Sequence, residues 1–201
     1  GKWNRGVTID LAGKTLGLVG YGNIGKIHAR MARGFGMKII ACRKNRDRGS
    51  EGLDFVDIVD FDYLLEESDI VSILIPLINH GSGKTERLIG KRELEKIGRT
   101  GLGWLINTSR GAIINENDLI ESLESGVIKK AALDVYEAEP LPEHSELRQL
   151  PNVVLTPHIA GDTKEALIAR YTLIAENAIR VINNERPQYI IKELQSVFAN
   201  S

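Results

Sequence analysis

Thr15-Leu16-Gly17-Leu18-Val19-Gly20-Tyr21-Gly22-Asn23-Ile24-Gly25 sets the architecture of this chain. The apolar run ending at Gly20 predicts a strand, and Ile24, Ile27, Met31 and Phe35 then recur at helical spacing, so strand, turn and helix come in order. Between them Gly20-Tyr21-Gly22-Asn23-Ile24-Gly25 matches G-x-G-x-x-G in the setting that gives the pattern meaning. Gly20 permits the tight turn, Gly22 lets a pyrophosphate approach the backbone, and Gly25 lets helix and strand pack closely. The helix N-terminus adds free N–H groups and the positive end of its dipole. Glycine turns of this kind also close ordinary βα units, so the motif acquires weight only from the motifs later in the chain.

After this unit, Lys38 to Cys42 is the next extended run, and a charged loop from Arg43 to Glu51 leads to a smaller one, Phe55 to Val59. A short helix fits Asp62 to Glu67. Asp69 to Ile75 is mostly β-branched, as expected of a parallel strand covered on both faces. Helix is expected again at Gly90 to Ile97 and at Glu116 to Leu123, the latter closed by Gly126. Strands are expected at Trp104 to Asn107, Lys130 to Val135 and Asn152 to Leu155, before a long helix near Thr163 to Asn183. Strands alternating with helices imply right-handed crossovers and a doubly wound parallel sheet in three layers, an α/β fold of Rossmann type.

Composition excludes several classes. With 201 residues, 42% of them hydrophobic, the chain can bury a sizeable core in one large domain. Lys plus Arg (26) balances Asp plus Glu (27), so no broad basic field exists to grip a nucleic acid. Cys42 is the single cysteine, which excludes an internal disulfide, and His28, His80, His144 and His158 are too scattered for a metal box. A reducing, cytoplasmic setting is expected. No apolar run approaches the roughly 20 residues that span a bilayer, so no membrane partner is expected. The chain opens on Gly1 rather than methionine, and Lys2-Trp3-Asn4-Arg5 reads as the middle of something longer.

At the end of the second strand an acidic residue would bond a ribose 2′-hydroxyl, whereas here Cys42 is followed by Arg43, Lys44, Arg46 and Arg48. Guanidinium groups can pair with a 2′-phosphate, which favours NADP over NAD; a solvated charged loop is the plain alternative. Asp47 comes too late to serve as the ribose acceptor. Gly83-Lys84-Thr85 invites a phosphate-loop reading, but the glycine required five positions before Gly83 is Ile78, and the reading fails.

Further on stand Asn107-Thr108-Ser109-Arg110-Gly111, then Ala132-Leu133-Asp134-Val135 with Glu139 beyond, then Thr156-Pro157-His158-Ile159-Ala160-Gly161. With Leu11-Ala12-Gly13-Lys14-Thr15 and Ile75-Pro76-Leu77, these motifs keep one order over nearly the whole chain. In that order the chain resembles the nucleotide-binding domain of the D-isomer-specific 2-hydroxyacid dehydrogenases, the family that includes phosphoglycerate dehydrogenases and glyoxylate/hydroxypyruvate reductases.

The resemblance implies Arg110 as the substrate-binding arginine, Glu139 as the carboxylate partner and His158 as the general acid/base. The chemistry is consistent: a forked guanidinium can hold a carboxylate while an imidazole takes the neighbouring alcohol's proton as hydride leaves for a nicotinamide. Glu139 on the other ring nitrogen would fix the tautomer. The resemblance places Asp134 at the nicotinamide carboxamide. Thr108, Ser109, Pro76 and Thr85 would line the cofactor, with Tyr21, Asn23 and Ile24 of the glycine turn and with Ala160 and Gly161.

Two departures stand out. Ile78 to Lys84 is longer than the family's usual connection, which would reshape the adenine side of the cleft, and the substrate domain that opens family members is absent from this chain. Residues 1–186 are therefore expected to form the NAD(P)-binding domain with an N-terminal arm. Residues 187–201 would be a tail that returns to the absent domain, leaving the chain able to bind cofactor but to turn over little. The arm around Trp3 resembles the one through which family members pair, so a homodimer is expected. A nucleotide-sensing corepressor on the same fold keeps the same three residues and remains the alternative.

Overall fold

In a computed structural model the structure describes residues 8–44, 53–99, 101–191, 194, 195 and 197. Arg46, Asp47, Arg48 and the arm around Trp3 lie outside the described residues. The chain divides into two compact units, Gly1–His158 and Ile159–Ser201.

The first unit is built on a seven-stranded sheet: β1 (Thr15–Val19), β2 (Lys38–Cys42), β3 (Val56–Ile58), β4 (Ile70–Ile73), β5 (Trp104–Asn107), β6 (Lys130–Leu133) and β7 (Val153–Leu155). Their spatial order is β3-β2-β1-β4-β5-β6-β7, and every pairing is parallel. The expected doubly wound fold is therefore present. The order reverses between β1 and β4, and a crevice opens beyond the carboxyl ends of strands at such a switch point. The glycine turn leaves β1 there.

Side chains alternate between the two faces with the period of a strand. Leu16 and Leu18 of β1 join the core cluster on the side of α1 (Asn23–Gly34), while Val19 joins the cluster built around α2 (Phe61–Glu67), α3 (Lys91–Arg99) and α4 (Glu116–Glu124). Helices thus cover opposite faces of a central sheet, in three layers. Leu64, Leu65, Leu94, Ile97 and Leu105 are fully buried, each contributing about 1.5–3 kcal/mol by leaving water. The ends of α4 follow local rules. Asn115 accepts a bond from the Asp118 N–H at 3.4 Å, and Gly126 takes a left-handed φ of 73° just past the C-cap.

The structure adds which face of α1 is buried. The recurrence of Ile24, Ile27, Met31 and Phe35 does mark a helix, but that face of α1 is exposed, between 54% and 69%. The buried face is Gly25, Ala29 and Ala32. Small residues win it because the helix must approach the sheet closely: a Cβ on Gly25 would stand 2.7 Å from the Gly20 carbonyl oxygen. Elsewhere several strands run one to three residues shorter than expected. β6 ends at Leu133 rather than Val135, and β4 spans Ile70–Ile73 within the expected 69–75.

The second unit carries α5 (Lys164–Ile182), begun by the Thr163 hydroxyl, which accepts from the Ala166 N–H at 3.0 Å. The Asn177 amide clasps the Gln188 backbone, donating to its carbonyl at 3.1 Å and accepting from its N–H at 2.7 Å. Among the described residues, no helix is long and apolar enough to cross a membrane.

Candidate active site

The turn after β1 has the form of a cradle for a ligand's backbone-facing oxygens. Gly20 adopts a φ of 109°, and a Cβ there would stand 2.8 Å from the Leu74 carbonyl oxygen, so only glycine fits. Gly22 is the N-cap of α1 with no side-chain cap, and a Cβ on it would meet nothing within 4 Å. The N-terminus of α1 therefore carries no side-chain cap, and a helix N-terminus of this kind suits an anion. These features fit the pyrophosphate of a dinucleotide. Tyr21 is buried and its hydroxyl accepts from the Leu53 N–H at 3.1 Å, so it offers a ligand backbone only. Asn23 and Ile24 are exposed on the first turn of the helix.

Beside this turn lies a cleft of about 450 Å³, walled by Gly20, Cys42, Arg43 and Lys44 on one side and by Ser82, Gly83, Lys84 and Thr85 on the other. Burial pushes the Cys42 thiol up to about 11, so it is an unreactive wall. Thr85 and Pro76 act together: the Thr85 hydroxyl donates to the Pro76 carbonyl at 2.7 Å and accepts from the Ile78 N–H at 2.7 Å. Their contribution is a fixed loop base. The Ser109 hydroxyl is similarly committed, donating to the Ile75 carbonyl, whereas Thr108 is exposed.

Arg110 follows β5 directly. Asn107, buried at the strand end, donates from its amide to the Arg110 carbonyl at 3.0 Å and accepts from the Ser109 N–H at 3.0 Å. The Arg110 guanidinium donates to the Ser109 carbonyl at 2.7 Å and stays exposed. A Cβ on Gly111 would collide with the Tyr136 backbone, so the turn carrying Arg110 rests directly on the segment leading to Glu139.

Glu139 is bonded through both oxygens, Oε1 accepting from the Tyr136 N–H at 3.1 Å and Oε2 lying 2.7 Å from His158 Nδ1. The His158 contact is the chief cause that holds the Glu139 carboxyl below its usual range, and Arg110's charge adds to it. The three residues are thus within electrostatic reach of one another. His158 itself takes a left-handed φ of 54°, which costs a non-glycine residue of order 1–3 kcal/mol. Its neighbours hold it there: the His158 N–H donates to the Thr156 carbonyl at 3.1 Å, and that carbonyl also accepts from the Tyr136 hydroxyl at 2.7 Å. With Nδ1 engaged, Nε2 is the nitrogen left for proton exchange. Asp134 is 3% exposed and accepts from the Thr156 hydroxyl at 2.6 Å, which offsets part of the cost of burying a polar group.

Sequence reading missed Tyr136, Thr156 and Arg148. The Arg148 guanidinium bonds the Leu141 and Pro142 carbonyls at 2.7 and 2.9 Å and so braces the loop beyond Glu139. Nothing in their spacing signals these roles, because Tyr136 and Arg148 bond backbone carbonyls, and Thr156 a carboxylate, that only the fold brings near. Ala160 and Gly161 belong to the second unit and stay expectations from the sequence.

A family profile described as D-isomer specific 2-hydroxyacid dehydrogenase, NAD binding domain, matches residues 1–160. The glyoxylate reductase of Thermococcus litoralis is 43% identical over 183 residues, 91% of this chain and 53% of that protein. D-lactate dehydrogenase with NAD+ from Lactobacillus jensenii superposes with a TM-score of 0.80 at 28% identity, covering 92% of this chain and 58% of that one. The NADPH-dependent glyoxylate/hydroxypyruvate reductase of Sinorhizobium meliloti, in complex with NADP and sulfate, gives 0.77 at 27% identity, covering 96% and 60%. The chain spans about half the length of the curated relatives it matches. With the glycine cradle in place and the match running over most of its length, this chain belongs to the D-isomer specific 2-hydroxyacid dehydrogenase family, as its NAD-binding domain.

Proposed function

We propose that this chain is the cofactor half of an oxidoreductase interconverting D-2-hydroxy acids and 2-oxo acids, with His158 as general acid/base and NADP favoured over NAD. The observation that carries the reading is the 2.7 Å contact between His158 Nδ1 and Glu139 Oε2, close to the charge of Arg110. When bound, the nicotinamide supplies the hydride acceptor or donor. Gly20, Gly22 and Gly25 would hold the pyrophosphate, Arg43, Lys44 and Arg46 the 2′-phosphate, and Asp134 the carboxamide side. Pro76, Thr85, Thr108, Ser109, Ala160 and Gly161 would line the remainder. Arg110 binds the substrate carboxylate, and His158 Nε2 takes the alcohol proton in oxidation and returns it in reduction. Glu139 keeps the imidazole in the tautomer that makes this possible. Relatives named as glyoxylate reductases make glyoxylate and hydroxypyruvate the first substrates to try. The exposed apolar face of α1 gives a homodimer a surface to bury.

Calorimetric titration with NADPH and NADH, repeated on the Arg43→Ala/Lys44→Ala variant, tests the cofactor assignment. NADPH preference that collapses in the variant is expected; tighter NADH binding untouched by it would return the basic loop to solvent. In any chain that joins this sequence to a substrate domain, His158→Asn should abolish NADPH oxidation by glyoxylate while leaving NADPH affinity intact. Undiminished turnover would remove His158 from the mechanism.

A further inference from the structure

The long connection after β4 brings chemistry to the cleft that the end of β2 alone would not. Ser82, Gly83 and Lys84 form a wall facing Cys42, Arg43 and Lys44 across the same space of about 450 Å³. The two walls touch: Lys44 Nζ lies so close to Gly83 that a Cβ there would collide with it, and Lys44 Cε would be 3.4 Å from it. The loop is fixed at its base. Thr85 bonds Pro76 and Ile78 through its hydroxyl, its N–H donates to the Ile78 carbonyl at 2.9 Å, and the Lys84 N–H closes a turn onto the Gly81 carbonyl at 3.2 Å.

Charge distinguishes this cleft from a neutral adenosine pocket. Arg43, Lys44 and Lys84 line it, and Asp60 is the carboxylate among its described lining residues. Lys84 Nζ is 2.8 Å from Glu86 Oε2, with the two side chains 53% and 38% exposed. A pair so open to water holds its partners weakly, so Lys84 can exchange Glu86 for a stronger acceptor. A phosphate dianion is one. Lysines from two segments thus reach one cleft, with Glu86 and Asp60 as the carboxylates near them.

We propose that the loop Ile78–Lys84 is the second wall of a subsite for the adenosine 2′-phosphate, and that Lys84 is a specificity-determining residue for NADP(H) over NAD(H). This rests on the reading of the cleft as the adenosine end of a dinucleotide site. The loop adds to Arg43 and Lys44 of the β2 wall a further cation on a separate anchor, and Ser82 lines the same cleft.

The test is calorimetry on the chain with 2′,5′-ADP, 5′-AMP, NADPH and NADH, for the parent, Lys84→Ala, Lys84→Arg and Arg43→Ala. Lys84→Ala is expected to weaken 2′,5′-ADP and NADPH about tenfold, the scale of one lost charge-assisted bond. It should leave 5′-AMP and NADH within about twofold, and Lys84→Arg should restore most of the loss. If Lys84→Ala leaves the NADPH to NADH ratio unchanged while Arg43→Ala collapses it, the β2 wall alone reads the phosphate and the loop proposal is wrong, with the cofactor reading intact. Equal affinity of the parent for NADPH and NADH overturns the proposal as well. Failure of the parent to bind any of the four nucleotides would instead overturn the cofactor reading itself. Lys84 is exposed, so its variants should fold, and a thermal melt of each checks this.

Discussion

At the scale of single residues, the site is a set of backbone grips around a few side chains. Glu139 gives one oxygen to the Tyr136 N–H and the other to His158, which suits the orienting role proposed for it. Its carboxyl lies below the ordinary value of 4.5, so the pair's contribution to stability is fully present above that value. It is lost only as pH falls through the lower folded one. A contact this open to water contributes little in any case. Glu139→Gln should therefore leave a urea unfolding curve nearly unchanged. In a catalytically competent chain it should lower kcat between about tenfold and about 10⁴-fold, the range set by loss of the orienting carboxylate in other His-based sites; unaltered kcat would deny the orienting role. Gly111→Ala should behave in the opposite way. The added methyl meets the Tyr136 backbone, which has no flexible end to move aside, so destabilisation of about 1–3 kcal/mol is expected from overpacking, measured by denaturant unfolding.

At the scale of elements, α1 shows how a pattern can fix the type of an element and leave its buried face open. Period alone identifies a helix, because Ile24, Ile27, Met31 and Phe35 share one side of it. Which side is buried depends on how near the sheet comes, and the closeness of Gly25 to Gly20 leaves room only for Gly25, Ala29 and Ala32. Two substitutions separate the faces. Ala29→Leu, at a fully buried position, should cost about 1–3 kcal/mol, whereas Ile27→Gln, 54% exposed, should change the stability of the monomer by no more than about 0.5 kcal/mol. Equal effects in denaturant titrations of the two variants would mean that α1 is rotated about its axis from this orientation. β7 and the loop beyond Glu139 make the same point. The sequence predicts the strand, but the Tyr136 hydroxyl and the Arg148 guanidinium that brace the two segments bond carbonyls rather than partners a motif could name.

At the scale of the molecule, the parallel sheet and its switch point bring together Gly20, Arg43, Thr85 and Arg110, residues far apart in the chain, at the carboxyl ends of the strands. Burial within this unit also sets a pH response. Burial holds the His28 imidazole below its ordinary value of 6.5, so the unfolded chain binds the proton more readily, and stability rises with pH between the folded value and 6.5. Acidification below 6.5 should weaken the fold, and His28→Gln should flatten that dependence when urea midpoints at about pH 5 and about pH 8 are compared. An unchanged slope would show that other groups set it. The class of fold and the place of the glycine turn were legible in the order of the amino acids, and the same order carries the family resemblance that makes Arg110, Glu139 and His158 candidates. They rest on short-range order: apolar period, φ freedom at Gly20, and motifs in a fixed succession. Folding in three dimensions was needed to settle which face of α1 is buried, which backbone atoms hold Glu139 and His158, and that the loop Ile78–Lys84 comes to face the end of β2. Those depend on distances between segments, and no local rule of spacing fixes such a distance until the sheet has assembled and the close approaches of Gly25, Gly83 and Gly111 have been made.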